Sequence, residues 1–123
     1  MTLALMVALL AAVGASCRYV VDQFIQHQHD SVFPWGTFAI NVVGSFVLGV
    51  VTGSVSHHGL STTAAAIIGA GFCAGFTTFS TWMLESHRAG EDGDARVLWA
   101  NIAVSLAAGL AAVALGHWIG GLL

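Results

Sequence analysis

Lysine is missing from this chain, arginine occurs three times in 123 residues, and charged side chains of both signs make up only 7%. A soluble domain of this size normally carries about a quarter charged residues, so a water-facing globular surface cannot be assembled here. The formal net charge of -3 removes the electrostatic footing for nucleic acid, which is recognised first through its phosphates. Only two cysteines are present, Cys17 and Cys73, each inside an apolar run, where a small buried hydrophobe is expected rather than a disulfide. The six histidines form no zinc spacing: His27 and His29 share a polar loop, His57 and His58 are adjacent, and His87 and His117 are isolated. No convergent cluster of nucleophile, acid and base is visible, which argues against an enzyme.

What the chain has in excess is apolar sequence, at 57% of residues. Four long segments, at about residues 3–25, 35–55, 61–84 and 97–119, each have the length to cross a hydrocarbon core of roughly 30 Å as a helix. The expected fold is therefore an all-α membrane protein, one domain of four transmembrane helices spanning residues 1–123. Its lipid partner is the bilayer itself. Pro34, the single proline, gives the second helix a defined start, and the polar stretch from Glu85 to Arg96 is expected to face water at least in part. Arg18, Arg88 and Arg96 fall on one side, which favours placing the two longer loops in the cytoplasm.

Small residues recur at helical spacing: Ser45, Gly49 and Gly53; Gly71 and Gly75; Ser105, Gly109, Ala112 and Gly116. Such stripes let helix backbones approach closely where lipid supplies no hydrophobic drive. Four thin helices have little interior, so self-association is the economical way to bury them.

The polar residues within the spans carry more information. Thr37, Asn41 and Ser45 follow one another at one-turn spacing and share a face; Asn101 and Ser105 repeat the arrangement in the fourth span. An amide in hydrocarbon needs partners, and two readings stand: a clamp between helices, or the lining of a pore. Arg18 either snorkels to the headgroups or serves an aqueous vestibule.

Residues 69–82 interrupt the third span with glycines and hydroxyls. Gly69, Gly71 and Gly75 weaken a helix, while Thr77, Thr78, Ser80 and Thr81 offer oxygens that compete for backbone hydrogen bonds. Either the helix bends slightly and stays continuous, or it unwinds near residues 74–77 and frees carbonyls for a cation. Phe79 and Trp82 share a face beside these hydroxyls, as core packing or as electropositive ring edges turned to an anion.

In this order, Gly14 with Arg18-Tyr19, the run from Gly36 to Phe46, the run from Gly71 to Trp82, and Ser105 resemble the small fluoride channels of the Fluc (CrcB) type over essentially the whole chain. The resemblance implies passive export of fluoride across the cell inner membrane, by a homodimer of two four-helix subunits inserted in opposite orientations. It also implies a central structural Na+ held by the backbone carbonyls of Ala74 and Thr77. By the same resemblance Thr37, Asn41, Phe79, Trp82, Glu85 and Ser105 belong to the anion pathway, Thr78, Ser80 and Thr81 supply hydroxyls at the break, and Arg18 has a vestibule or structural role.

Two positions depart from that family's usual pattern. Ala74 stands where glycine is common, which leaves a carbonyl ligand intact but calls for helical-side backbone angles. Trp82 replaces a phenylalanine, adding an indole N–H donor and a larger ring. A small proton-coupled multidrug-type exporter shares the size and the four spans, but its chemistry asks for a carboxylate in the middle of an early helix, and the first two segments have none. A non-transporting assembly subunit is the remaining alternative.

Overall fold

The computed structural model describes Thr2 to Leu123, apart from the His58 side chain, and all its regular elements are helices. Helix α1 spans Thr2–Gln26 and α2 spans Trp35–His58. The third membrane crossing is a composite of α3 (Thr62–Ala66), a π-helical stretch (Ile67–Cys73), α4 (Ala74–Phe76) and α5 (Phe79–Glu91). Helix α6, Ala95–Gly120, completes the four candidate spans, each long and apolar enough to cross a membrane.

Three boundaries fall beyond the apolar runs that suggested them. Helix α2 continues past residue 55 to His58, because Gly59, in the left-handed region at φ 70°, caps it with its N–H on the Ser54 carbonyl. Helix α5 runs past residue 84 to Glu91, and α6 starts at Ala95 rather than residue 97. The stretch from Glu85 to Arg96 is thus mostly helical, and only Asp92, Gly93 and Asp94 link the two spans. Its polarity marks an amphipathic end rather than a loop: Ser86 and Ala89 are buried while His87, Arg88 and Glu91 face out. Asp94 then starts α6 as its N-cap, accepting the Val97 N–H at 3.1 Å.

The most extensive helix pairing joins α2 to α6. A Cβ on Gly49 or Gly53 would run into the backbone of Val113 or His117, and one on Gly116 or Gly120 into that of Phe46 or Val50. These stripes are consumed inside the chain, so burying them requires no second copy, contrary to the expectation from a thin bundle. Helix α1 packs instead on the π-helical stretch and α4, with Gly14 against the backbone of Phe72 and Phe76, and Gly75 against that of Ala11.

The interior is unusually polar. Beside Ile40, Val51, Cys73, Phe76, Ala89 and Ala112 lie the buried side chains of Thr37, Thr78, Ser86, Asn101 and Ser105. Most of this polar set is satisfied by hydrogen bonds that tie α2 and α6 to the third crossing, as a low-dielectric surrounding demands.

Candidate functional site

The third crossing breaks at Thr77 and Thr78. Backbone angles stay right-handed helical at Ala66, Ile67, Cys73 and Ala74, then turn extended at Thr77 (φ -81°, ψ 162°) and Thr78 (φ -147°, ψ 122°). A continuous bent helix is therefore excluded, and the unwinding sits at the far edge of residues 74–77. Glycine does not make it. The glycine-rich run is helical throughout, widened into a π stretch, and Ala74 adopts helical-side angles.

What holds the break open is Asn41. Its Oδ1 accepts the Thr78 N–H at 2.8 Å, and its Nδ2 donates to the Thr78 carbonyl at 2.9 Å. One side-chain amide thereby replaces both hydrogen bonds that the Thr78 peptide groups forfeit by leaving the helix. Nδ2 carries a second hydrogen, and Asn41 lines the adjoining cavity, so clamp and lining are the same residue.

The remaining groups at the break sort by neighbour. Thr77 Oγ1 donates back to the Cys73 carbonyl at 2.9 Å, while the Thr77 carbonyl, turned out of the helix, accepts Arg18 Nη1 at 3.1 Å. Arg18 therefore reaches inward to the break rather than to a loop, and counts for little in setting orientation. Thr78 caps α5: its Oγ1 accepts the Thr81 N–H at 3.2 Å and donates to Thr81 Oγ1 at 3.0 Å, with Ser80 Oγ 3.4 Å away. Ser80 and Thr81 serve this local turn, and neither lines a cavity described below.

A cavity of about 520 Å³ opens beside the break. Asn41, Ala74, Thr77, Thr78, Phe79, Trp82 and Ser105 line it, bringing together residues from α2, the third crossing and α6. Its lining holds no carboxylate. The N-terminus of α5 and the Asn41 amide place positive potential on this side, which suits an anion, and Arg18 stands behind Thr77 outside the lining. Phe79 is 70% exposed at the rim and meets Trp82 edge to face, with centroids 5.6 Å apart and planes at 78°. The two rings share a wall, but one edge is already used by the other ring.

Trp82 and Ser105 have their own donors engaged. The indole N–H goes to the Asn101 carbonyl at 3.0 Å and Ser105 Oγ donates to Asn101 Oδ1 at 3.1 Å, so the extra donor expected of tryptophan does not point into the cavity. Asn101 itself is fully buried, with Nδ2 donating to Ser86 Oγ at 2.9 Å. Its one-turn spacing from Ser105 was the visible signal; nothing in the sequence marks Ser86.

Thr37 and Glu85 lie one turn further along α2 and α5. Thr37 Oγ1 donates to Glu85 Oε1 at 3.0 Å; the other carboxylate oxygen is buried without a partner. Glu85 lines a second, smaller cavity of about 260 Å³ with Gln26, His29, Trp35, Arg88 and Asp92. The buried Thr37 hydroxyl belongs to neither cavity lining, and its bond to Glu85 lies between them in register. Sequence reasoning missed this second chamber, because its walls come from loop and helix ends far apart in the chain.

The two carbonyls expected to hold Na+ differ in what they leave free. The α-helical partner of the Ala74 carbonyl is the Thr78 N–H, which Asn41 has taken, and the Thr77 carbonyl keeps one lone pair beyond Arg18. Neutral carbonyl oxygens suit an alkali cation, while the Arg18 guanidinium on the Thr77 oxygen opposes one. Among the described residues no group of three or more His, Cys, Asp or Glu side chains offers an alternative metal site.

Four membrane-length helices, the third broken beside a largely apolar cavity, define a small multi-pass membrane protein with an interrupted crossing at its centre. The family model described as CrcB-like protein, Camphor Resistance (CrcB), matches residues 5–117. The chain belongs to this CrcB family. It is 47% identical over 108 residues to a Streptomyces avermitilis protein named fluoride-specific ion channel FluC 1, covering 88% of this chain and 87% of the relative. A Symbiobacterium thermophilum protein of the same name is 42% identical over 117 residues, 94% of each chain. Fluoride-specific ion channel FluC 2 of Mycobacterium bovis is 42% identical over 113 residues, 92% of this chain and 86% of the relative.

Proposed function

We propose that this protein is a fluoride-selective channel of the plasma membrane, passing fluoride passively and so lowering its concentration in the cytoplasm. The observation that carries the reading is the carboxylate-free cavity beside the Asn41-bracketed break, in a chain whose relatives bear the fluoride-channel name. Fluoride enters a membrane only if its strong hydration is replaced by several moderate donors. The second Asn41 amide hydrogen and the ring edges of Phe79 and Trp82 begin that set, beside the N-terminus of α5, with the Ser105 oxygen in the same wall. Thr37 and Glu85 continue the polar route toward the second cavity.

The working unit is a pair of copies inserted in opposite orientations. Supporting this, the cavity is open at the side of a single chain, where Phe79, Leu106 and Leu110 are exposed at its rim. The carbonyls assigned to Na+, those of Ala74 and Thr77, number two in one chain, and a second copy doubles the set. Bound there, Na+ supplies fixed positive charge near the anion route and joins the two broken helices.

Efflux from liposomes containing the purified chain, with fluoride compared against chloride, tests the function. Fluoride is expected to leave rapidly and chloride to be retained; equal handling of the two rejects a selective channel. Chemical cross-linking of the same preparation should give dimers and no larger species.

A further inference from the structure

Asn101 is fully buried and lines neither cavity, yet it holds two residues that line the larger one. Its carbonyl accepts the Trp82 indole N–H, its Oδ1 accepts the Ser105 hydroxyl, and its Nδ2 donates to Ser86 Oγ and lies 3.5 Å from the Trp82 carbonyl. Ser86 Oγ in turn donates to that Trp82 carbonyl at 2.8 Å. The bonds close a ring between α5 and α6. With every polar group of the side chain engaged by protein, Asn101 acts through its neighbours.

The consequence concerns the direction of one hydrogen. While Ser105 donates to Oδ1, its hydroxyl shows lone pairs to the cavity, the wrong polarity for an anion. Half a turn of the Asn101 amide exchanges Oδ1 and Nδ2 between two serine oxygens, each of which can donate or accept. Nδ2 then donates to Ser105 Oγ, Ser86 donates to Oδ1, and the Ser105 hydrogen is released toward the cavity. The cost is the Ser86 bond to the Trp82 carbonyl and the replacement of the Nδ2 contact to that carbonyl by Oδ1, acceptor facing acceptor. We propose that Asn101 is a positioning residue of the conduction route, whose amide sets whether Ser105 accepts from or donates to what occupies the cavity, while its backbone fixes the Trp82 ring.

This rests on the fluoride-channel reading, and one series of flux measurements separates the two. Wild-type protein in liposomes is the control: no fluoride passage there overturns the channel reading, and the transport role of Asn101 with it. With a conducting wild type, Asn101→Ala leaves the Ser105 hydroxyl to bond back to its own helix. Fluoride flux should fall about tenfold, the weight of one hydrogen bond to an ion. Ser105→Ala should fall to a similar level, and the double substitution no further, since both remove the same donor. Ser86→Ala, at a residue that lines neither cavity, should give a smaller loss and covers the case in which Asn101→Ala does not assemble. A merely structural asparagine would change the yield of dimer but not flux per dimer. Wild-type flux per dimer in both Asn101→Ala and Ser86→Ala, or losses that multiply with that of Ser105→Ala, overturns the proposal.

Discussion

The two sides of Thr77 teach opposite lessons about a broken membrane helix. The preceding side holds Gly69, Gly71 and Gly75 and remains helical; the breaking pair, Thr77 and Thr78, contains no glycine at all. Glycine lowers the cost of leaving a helix but supplies no partner for the groups released. In hydrocarbon the partner decides, because each unsatisfied backbone group costs several kcal/mol. Asn41 provides it for Thr78, Arg18 for the Thr77 carbonyl, while Gly71 and Gly75 use their missing side chains for close contact with α1.

If the bracket makes the break, Asn41→Ala should have the largest effect. It strands a buried N–H and a carbonyl, at roughly 1–3 kcal/mol each, and removes a donor from the cavity. Fluoride flux is expected to fall about a hundredfold, equivalent to about 2.7 kcal/mol. Thermal unfolding in detergent should shift down as well, because the residue is clamp and lining together. Wild-type flux in correctly assembled protein would remove Asn41 from the pathway.

The glycine side is tested by a change of sign. A Cβ at Gly75 would press on the Ala11 backbone, which cannot move aside, so Gly75→Ala should destabilise by about 1–3 kcal/mol. At Gly69 a Cβ meets only the tip of Leu48 at 3.2 Å, a flexible side chain at the cavity edge. Gly69→Ala should therefore stabilise, by up to about 1 kcal/mol from helix propensity. Detergent melting curves of the two variants check it: equal shifts in one direction would mean that the glycines act on backbone freedom rather than on packing.

Much of this was legible in the sequence because membrane spans are set by long apolar runs, and Asn41, Arg18 and Ser105 stand out where polar groups are costly. The helix ends were less so: α5 continues to Glu91 by exchanging an all-apolar surface for a one-sided one, and hydropathy alone registers that exchange as a loop. The location of the break followed the glycines in the sequence but the hydrogen-bond partners in the fold, and a partner 37 residues away is a tertiary fact. Trp82 shows the same limit. Its extra N–H was plain from the residue type, while its target, the Asn101 carbonyl, depends on how α5 and α6 meet.

The smallest effect separates the two jobs of Thr78. Its hydroxyl caps α5 through the Thr81 N–H, and its backbone is what Asn41 grips, so a side-chain change leaves the bracket intact. Thr78→Ala should cost about 1 kcal/mol, the usual loss of an N-cap, and Thr78→Ser should recover most of it. Melting temperature is the measurement, with flux as its companion: flux is expected to stay within about threefold of wild type, since less than 1 kcal/mol of pathway contact is removed. A loss of flux as deep as that of Asn41→Ala, at unchanged stability, would shift the essential donor from the amide of Asn41 to the hydroxyl of Thr78.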